Sequence, residues 1–307
     1  MPLPLEFQTR LKEILPQASE AWFAAKARQS FRINTLKLSI QEALDMLAQQ
    51  GVDFQQVSFC PYAVLVDKPA AQGLLRSDLA AKGLLYAQGL ESILAVMALD
   101  PRPGQRVLDL CAAPGSKTSQ IAMLMGNEGT LRANEPVRAR LYKLKAVLEL
   151  TGARARLSSL DGRRIREQEG YDRILVDAPC SCEGRFIADD PKSFAYWSPR
   201  KIKEMSHKQK GLLLNAGRLL KPGGIMVYAT CTFAPEENEE VVDWFLRKTQ
   251  GAFQLSAVSM PGVKTSPALP GWRGRFYDAS LKNAVRILPD ERMEGFFIAQ
   301  FTNSHYK

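Results

Sequence analysis

The stretch R-V-L-D-L-C-A-A-P-G-S-K-T at residues 106–118 decides the predicted fold. Residues 106–110 form an apolar, partly β-branched run, which is typical of a buried strand. Residues 111–116 are mostly small and include Pro114 and Gly115, and residues 116–125 have helical spacing of apolar side chains. A strand, a small-residue loop and a helix open a doubly wound α/β domain, in which ligands bind at the carboxyl end of the first strand.

The loop fits neither of two common phosphate-binding motifs. A dinucleotide fingerprint needs three spaced glycines, and the loop contains only Gly115. A Walker loop needs adjacent Gly and Lys, but Ser116 separates Gly115 from Lys117. A tight turn without a ligand remains open, as does a nucleoside ligand without a pyrophosphate. S-adenosylmethionine is the commonest such ligand of this architecture.

The composition is that of a basic globular protein. The 307 residues are 46% hydrophobic and 24% charged, and no run of about 18 apolar residues predicts a membrane span. The N-terminus lacks the pattern of a secretory signal, so we expect a cytoplasmic chain whose five cysteines are reduced thiols. The net charge of +9 and pI of about 9.3 favour a polyanionic partner, most simply RNA. We expect a monomer.

Residues 1–80 predict a small N-terminal α+β subdomain. An alternating strand over residues 31–38 precedes a helix that opens with a capping box at Ser39 and Glu42, and residues 57–66 are extended again. Positive charge on Arg28, Arg32 and Lys37 makes this unit a candidate RNA-contacting module, although a plain packing subdomain fits equally well.

Residues 81–307 predict the cofactor-binding domain. A strongly apolar helix over residues 84–99 leads into the strand at residue 106, after which strands and helices alternate. This alternation predicts a mostly parallel, Rossmann-like sheet. The further strands are expected at residues 130–133, 155–158, 173–176, 225–229 and 296–301, and the further helices at 137–151, 198–220 and 235–247. Residues 251–294 are expected to be mostly loop.

Four acids follow or end predicted strands: Asp109, Glu135, Asp161 and Asp177. An acid after the second strand is placed to accept hydrogen bonds from ribose hydroxyls, as in dinucleotide folds. The acid after the third can accept from an adenine amine, and the acid after the fourth would lie near the reacting base. Each acid alone also fits an ordinary helix start or turn.

Two cysteines follow predicted strands and should face the same crevice. Cys180 follows D-A-P, and Cys231 lies in A-T-C-T. A thiolate in such a crevice can add to C6 of a pyrimidine and so activate C5 for methylation. Cys182 forms C-x-C with Cys180, but no partner cluster is evident and the histidines are only His207 and His305, so no metal site is predicted. The thiols of Cys60 and Cys111 are interpreted as structural.

These motifs resemble those of the Sun/nucleolar-protein family of RNA cytosine-5 methyltransferases. The resemblance covers roughly residues 28–301. It depends on C-A-A-P-G-S-K-T at 111–118, A-N-E at 133–135 with Arg140, D-G-R at 161–163, D-A-P-C-S-C-E-G at 177–184, D-P at 190–191, W-S-P at 197–199, L-K-P-G-G at 220–224, and Y-A-T-C-T followed by E-E-N-E at 228–239. Relatives commonly have glycine at position 182, and some carry a further C-terminal RNA-binding domain.

The resemblance implies residue roles that local motifs leave open. A Pro-Cys motif alone would favour Cys180 as nucleophile, whereas the family implies that Cys231 is the nucleophile and that Cys180 assists release. Asp177 would also contact the cytosine edge. The residues implied to hold S-adenosylmethionine are Cys111, Ala112, Ala113, Pro114, Gly115, Ser116, Lys117, Glu135, Arg140, Asp161 and Asp177. The expected substrate is RNA, with ribosomal RNA favoured over tRNA. A non-catalytic RNA-binding or ribosome-assembly protein and a small-molecule methyltransferase are the alternatives.

Overall fold

The computed structural model describes residues 3–304, so His305 lies outside the described residues. The helices are α1 Leu5–Ile14, α2 Ile40–Gln49, α3 Lys68–Leu75, α4 Asp78–Ala81, α5 Leu90–Leu99, α6 Ser116–Leu124, α7 Arg138–Thr151, α8 Pro199–Leu219 and α9 Glu239–Thr249. The strands are β1 Arg28–Ile33, β2 Phe54–Val57, β3 Cys60–Asp67, β4 Leu85–Ala87, β5 Arg106–Asp109, β6 Thr130–Asn134, β7 Arg156–Ser158, β8 Tyr171–Asp177, β9 Leu220–Thr230, β10 Phe253–Ser256, β11 Thr265–Pro267, β12 Gly271–Trp272, β13 Arg275–Phe276, β14 Val285–Ile287 and β15 Phe296–Asn303.

The N-terminal unit is an antiparallel sheet in the order β2-β3-β1-β4 with α2 packed against it. The predicted capping box forms, because the Ser39 side chain accepts from the Glu42 backbone and the Glu42 carboxylate accepts from the Ser39 backbone. The first strand ends at Ile33 rather than continuing to residue 38. Asn34 turns the chain, and its side-chain amide donates to the carbonyls of Gly83 and Thr151.

The prediction of one helix over residues 84–99 is wrong in its first part. Residues 85–87 form β4, which pairs antiparallel with β1, and α5 begins only at Leu90. Pairing with an available strand edge outweighs the local helical pattern. The N-terminal sheet consequently extends to Ala87.

Of the three basic residues that make this unit a candidate RNA-contacting module, Arg32 is fully buried and adds no positive charge to the surface. Its guanidinium donates to Gln88 Oε1 at 2.7 Å and to Ser119 Oγ at 2.6 Å, and burial lowers its pKa to about 10. Arg32 therefore ties the N-terminal sheet to α6. Arg28 lies at the surface beside Asp67, and an RNA-contacting role for this unit stays a prediction.

The larger sheet confirms the predicted α/β, Rossmann-like class I methyltransferase fold. Its order is β11-β14-β15-β9-β8-β5-β6-β7, with β10 paired to β15. The strands β9, β8, β5, β6 and β7 are parallel to one another. Beyond β9, β15 pairs antiparallel with β9, and β14 pairs antiparallel with β15. Residues 251–294, expected to be loop, supply the short strands of this antiparallel edge and the β12-β13 hairpin.

Helices cover both faces of the larger sheet. One face packs α5 and α6 against Val107 and Val227, and the other packs α8 and α9 against Leu108 and Tyr228. The parallel strands are thus buried on both faces, as their apolar sequences predict. Their carboxyl ends meet at one edge, which brings the predicted cofactor loop and both cysteine loops together. Within residues 3–304, no helix combines the length and apolarity that a membrane span requires.

Candidate active site

The loop after β5 forms the floor of a cleft of about 470 Å³ at the carboxyl edge of the sheet. Gly115 has a φ of 116°, and a Cβ there would come within 3.1 Å of side chains of Leu144 and Val147. Glycine is required because it alone tolerates this backbone and this close approach to α7. The sequence 111–116 thus folds into a loop whose backbone is open to a ligand.

Most of the predicted cofactor residues line this cleft. The lining includes Cys111, Ala112, Ala113, Pro114, Ser116, Lys117, Arg140 and Asp177, together with Cys180, Cys182 and Cys231. Gly115 is not part of the lining and approaches Leu144 and Val147 of α7 instead. The contacts of these lining residues with the cofactor stay predictions. Their common location follows from the parallel sheet, because the loops after neighbouring strands lie at the same edge.

Glu135 and Asp161 lie outside the cleft lining and have protein partners. The Glu135 carboxylate accepts from the Val137 backbone at 2.9 Å and lies 3.2 Å from the Arg140 guanidinium, which also donates to the Ala113 carbonyl. Asp161 pairs with Arg163 at 2.7 Å, and this hydrogen bond lowers the pKa of Asp161 to about 2. Contact of either acid with a cofactor stays a prediction.

Lys117 and Asp177 form an ion pair in the cleft, with 2.7 Å between Nζ and Oδ2. Burial lowers the pKa of Lys117, but Asp177 and Asp109 raise it by more, so the net shift is upward. Lys117 is therefore not a free surface lysine. It fixes the Asp177 carboxylate between the cofactor loop and the cysteines.

Asp109 is the acid whose environment best fits a cationic ligand. Its Oδ2 accepts from Thr118 Oγ1 at 2.7 Å, the Cys111 backbone also interacts with the carboxylate, and the buried Oδ1 has no side-chain partner among the described residues. Burial raises its pKa to about 7. S-adenosylmethionine carries an ammonium group and a sulfonium, so a buried carboxylate oxygen without a side-chain partner in this cleft fits that cofactor. The sequence marked Asp109 as one of four acids but did not select it as a site residue.

We expect Asp109→Asn to weaken S-adenosylmethionine binding by about tenfold or more, because a charge-assisted hydrogen bond would be lost. Calorimetric titration of cofactor into each variant checks this. The matched control is Asp100→Asn, an exposed acid that precedes the opposite end of the same strand. Equal cofactor affinity of wild type and Asp109→Asn would contradict the assignment.

The structure brings the cysteines together across two loops. Cys180 Sγ lies 3.2 Å from Cys231 Sγ and 3.9 Å from Cys182 Sγ. The shared crevice of Cys180 and Cys231 was expected, but the sequence did not predict that Cys182 joins them in one cluster. The third thiol comes from the end of the neighbouring strand β9, a proximity that spacing along the chain cannot reveal.

Each of the three thiols influences the pKa of the other two. Hydrogen bonds from Cys180 and Cys231 lower the pKa of Cys182, whereas the hydrogen bond to Cys182 raises the pKa of Cys180 well above its usual range. Cys180 lowers the pKa of Cys231, but Cys182 and burial raise it by more. One thiolate is thus readily formed, and further ionisation is opposed by like charge. Arg185 is the nearby cation that favours thiolate at Cys182 and Cys231.

Buried polar groups hold the two cysteine loops against each other. Glu237 accepts from the backbone and hydroxyl of Ser181, and the Ser181 hydroxyl lies 2.8 Å from Thr232 Oγ1. Glu183 accepts from Thr232 Oγ1 at 3.0 Å and from the Phe233 backbone at 3.1 Å. The Gly184 backbone donates to the carbonyl of Cys231. These residues flank the cysteines in the quoted motifs, but the sequence alone assigned them no role.

The shifted pKa of Glu237 should make the stability of the fold depend on pH. Burial raises its pKa from 4.5 to about 8, so folding favours the protonated acid; this stabilisation is complete below about pH 4.5 and is lost as pH rises through about 8. We expect the free energy of unfolding to fall less between about pH 5 and pH 8.5 in Glu237→Gln than in wild type. Urea denaturation across this range measures it.

The control for this prediction is Glu42→Gln, which alters an exposed carboxylate whose pKa is lowered by Ser39. The stabilisation from Glu42 is lost only as pH falls through that lowered value, so its replacement should leave the alkaline slope unchanged. If Glu237→Gln and wild type lost the same free energy over the range, Glu237 would not carry this dependence.

Comparisons with known proteins agree with this architecture. Residues 96–302 match the family described as 16S rRNA methyltransferase RsmB/F, and residues 4–72 match the description "Methyltr_RsmF/B-like, ferredoxin-like domain". A crystal structure titled as a methyltransferase homolog protein from Pyrococcus horikoshii superposes with a TM-score of 0.81 at 31% identity, covering 98% of this chain and 100% of that one.

Two curated relatives have RNA substrates in their names. The tRNA (cytosine(49)-C(5))-methyltransferase of Pyrococcus abyssi is 38% identical over 287 residues, covering 91% of this chain and 89% of that protein. The ribosomal RNA small subunit methyltransferase F of Vibrio vulnificus is 39% identical over 315 residues, covering 97% of this chain. The present chain spans only 63% of the length of the latter. The matches over most of its length show that the chain belongs to the 16S rRNA methyltransferase RsmB/F family of S-adenosylmethionine-dependent enzymes.

Proposed function

We propose that this chain transfers a methyl group from S-adenosylmethionine to C5 of a cytosine in RNA through a covalent bond between Cys231 and C6 of the base. The observation that carries the proposal is the 3.2 Å approach of the Cys231 and Cys180 sulfur atoms at a cleft that also contains Asp177. Family membership and the names of the relatives support the reaction class.

The chemistry explains why such a site needs a nucleophile. C5 of cytosine is too weak a nucleophile to accept a methyl group directly. Addition of the Cys231 thiolate at C6 forms an S–C6 bond and breaks the C5–C6 π bond, whose electron pair becomes shared between C5 and N3 and makes C5 nucleophilic. Bound S-adenosylmethionine would supply the methyl group to C5. Loss of the C5 proton then returns an electron pair to the ring and breaks the S–C6 bond.

Cys180 is suited to the second half of this sequence. Its sulfur atom lies 3.2 Å from that of Cys231, so it would lie beside a base bonded to Cys231 and could accept the C5 proton as a thiolate. We assign it to removal of the C5 proton and thus to release of the product. Asp177, held by Lys117, would orient the cytosine edge.

The proposed substrate is ribosomal RNA, and tRNA is the alternative. The family description and the Vibrio relative support ribosomal RNA, whereas the Pyrococcus relative, matched over 89% of its length, favours tRNA. The net charge of +9 suits either polyanion. The target cytosine must leave any base stack to reach the cleft. We further propose that the chain acts as a monomer. We also propose that it acts in the cytoplasm, where its free thiols would stay reduced.

The test is incubation of the protein with methyl-labelled S-adenosylmethionine and, separately, ribosomal RNA and tRNA stripped of modifications. Nucleoside digestion should recover the label in 5-methylcytidine from ribosomal RNA. Label from tRNA alone would reverse the substrate preference. Retained RNA binding without label or measurable cofactor binding would support a non-catalytic RNA-binding or ribosome-assembly protein, and label transfer without RNA would support a small-molecule methyltransferase.

A further inference from the structure

Cys182 has no part in the reaction proposed above, yet it belongs to the same cluster. The Sγ atoms of Cys180, Cys182 and Cys231 all lie within 4.8 Å of one another, and each thiol is half-buried at the cleft. Cys182 has a φ of 61°, a backbone region that costs a non-glycine residue about 1–2 kcal/mol. A thiol thus occupies a strained position from which its sulfur reaches the other two.

The spacing of the three sulfur atoms fits a small thiophilic cation. With a Zn–S bond of about 2.3 Å, tetrahedral coordination requires about 3.8 Å between sulfur ligands. The Cys180–Cys182 distance of 3.9 Å matches this value, and the sulfur atoms of Cys180 and Cys231, at 3.2 Å, would have to move apart by roughly 0.6 Å. Three sulfur ligands favour zinc over hard cations such as Mg²⁺ or Ca²⁺.

The surroundings can balance the charge of such a site. Three thiolates with Zn²⁺ carry a net charge of −1, and the field of Arg185 acts on both Cys182 and Cys231. Arg140 also acts on Cys182. The cluster lines an open cleft, so a fourth ligand position would be available to water.

We propose that Cys180, Cys182 and Cys231 form a Zn²⁺ site with three thiolate ligands and one water, which reversibly blocks the active site. Zinc binding forms three S–Zn bonds and releases the thiol protons to solvent, with no change in oxidation state. A zinc-bound Cys231 cannot add to cytosine, so metal and substrate would exclude each other. The inhibitory consequence depends on the proposed function, but the binding site itself does not.

The test is to titrate Zn²⁺ into the full chain and to measure the binding by calorimetry and by the release of protons. Co²⁺ serves as a spectroscopic substitute for Zn²⁺. Wild type is expected to bind one Zn²⁺, and its Co²⁺ form to show thiolate-to-cobalt charge transfer and the intense visible bands of tetrahedral coordination. Cys182→Gly, which suits the left-handed backbone, should weaken zinc binding by more than about 100-fold and shift the Co²⁺ spectrum toward fewer sulfur ligands.

Cys182→Ser tests the thiol separately from the backbone and should lose affinity as Cys182→Gly does. His207→Ala is the matched control, because this exposed histidine is a candidate for adventitious zinc and should leave the affinity unchanged. Equal affinity of wild type and both Cys182 variants would overturn the proposal, as would absence of cobalt–thiolate absorption. A wild type that binds zinc through Cys182 but cannot methylate RNA would refute the proposed function and leave the metal site intact.

Discussion

Cys231→Ala is expected to lower methyl transfer to RNA by at least about 10³-fold, because the variant lacks the nucleophile that activates C5. Cys180→Ala should still form the bond between Cys231 and C6 but release the product slowly. It should therefore accumulate a covalent protein–RNA complex that survives denaturing electrophoresis. Single-turnover assays with labelled cofactor and labelled RNA measure transfer and adduct in the same samples.

Cys60→Ala is the control for the removal of a cysteine that has no role in the reaction, because Cys60 lies in the core outside the cleft. It should transfer methyl groups at a rate within a few-fold of wild type once folding is verified by circular dichroism. The double variant lacking both Cys180 and Cys231 should form no adduct. If Cys231→Ala accumulated the adduct and Cys180→Ala did not, the two roles would be reversed.

Arg286→Met is expected to destabilise the fold by about 3–5 kcal/mol, because it leaves a buried carboxylate without its cation. Arg286 and Glu239 are both almost fully buried and form two hydrogen bonds, and Arg286 also donates to the Phe233 carbonyl at 2.9 Å. This ion pair joins β14 to the start of α9 and to the segment after Cys231. Chemical denaturation at neutral pH measures the change.

The matched control is Lys82→Met, which removes the cation of an exposed pair with Asp78. An exposed helical pair contributes about 0.5 kcal/mol or less, so this variant should unfold almost as wild type does. Adding Glu239→Gln to Arg286→Met should recover part of the lost stability, because the uncompensated charge is removed. Equal, small effects of Arg286→Met and Lys82→Met would refute a structural role for the buried pair.

Features encoded by neighbouring residues were predictable from the sequence. The strand, loop and helix over residues 106–125 and the capping box at Ser39 follow from local periodicity and side-chain chemistry, and the structure confirms them. Strand β4 was not predictable in this way, because its conformation depends on pairing with β1 far along the chain. The burial of Arg32 was not predictable either, because its partners Gln88 and Ser119 come from other elements.

The candidate site shows the same limit. The sequence located Cys180 and Cys231 at strand ends, and parallel-sheet topology was sufficient to expect them at one edge. It could not give the 3.2 Å approach of their sulfur atoms, nor the addition of Cys182 to the cluster. Glu183 and Glu237 are acids in a basic chain, and only their burial against the cysteine loops identifies them as structural supports.

Bisulfite sequencing of total RNA tests the central claim most directly, in cells that lack this gene and are complemented with either wild type or Cys231→Ala. We expect at least one cytosine in ribosomal RNA to resist conversion with wild type and to convert fully with Cys231→Ala at equal protein level. An unchanged conversion pattern across ribosomal RNA and tRNA in all three strains would contradict the assignment of this chain as an RNA cytosine-C5 methyltransferase that acts through Cys231.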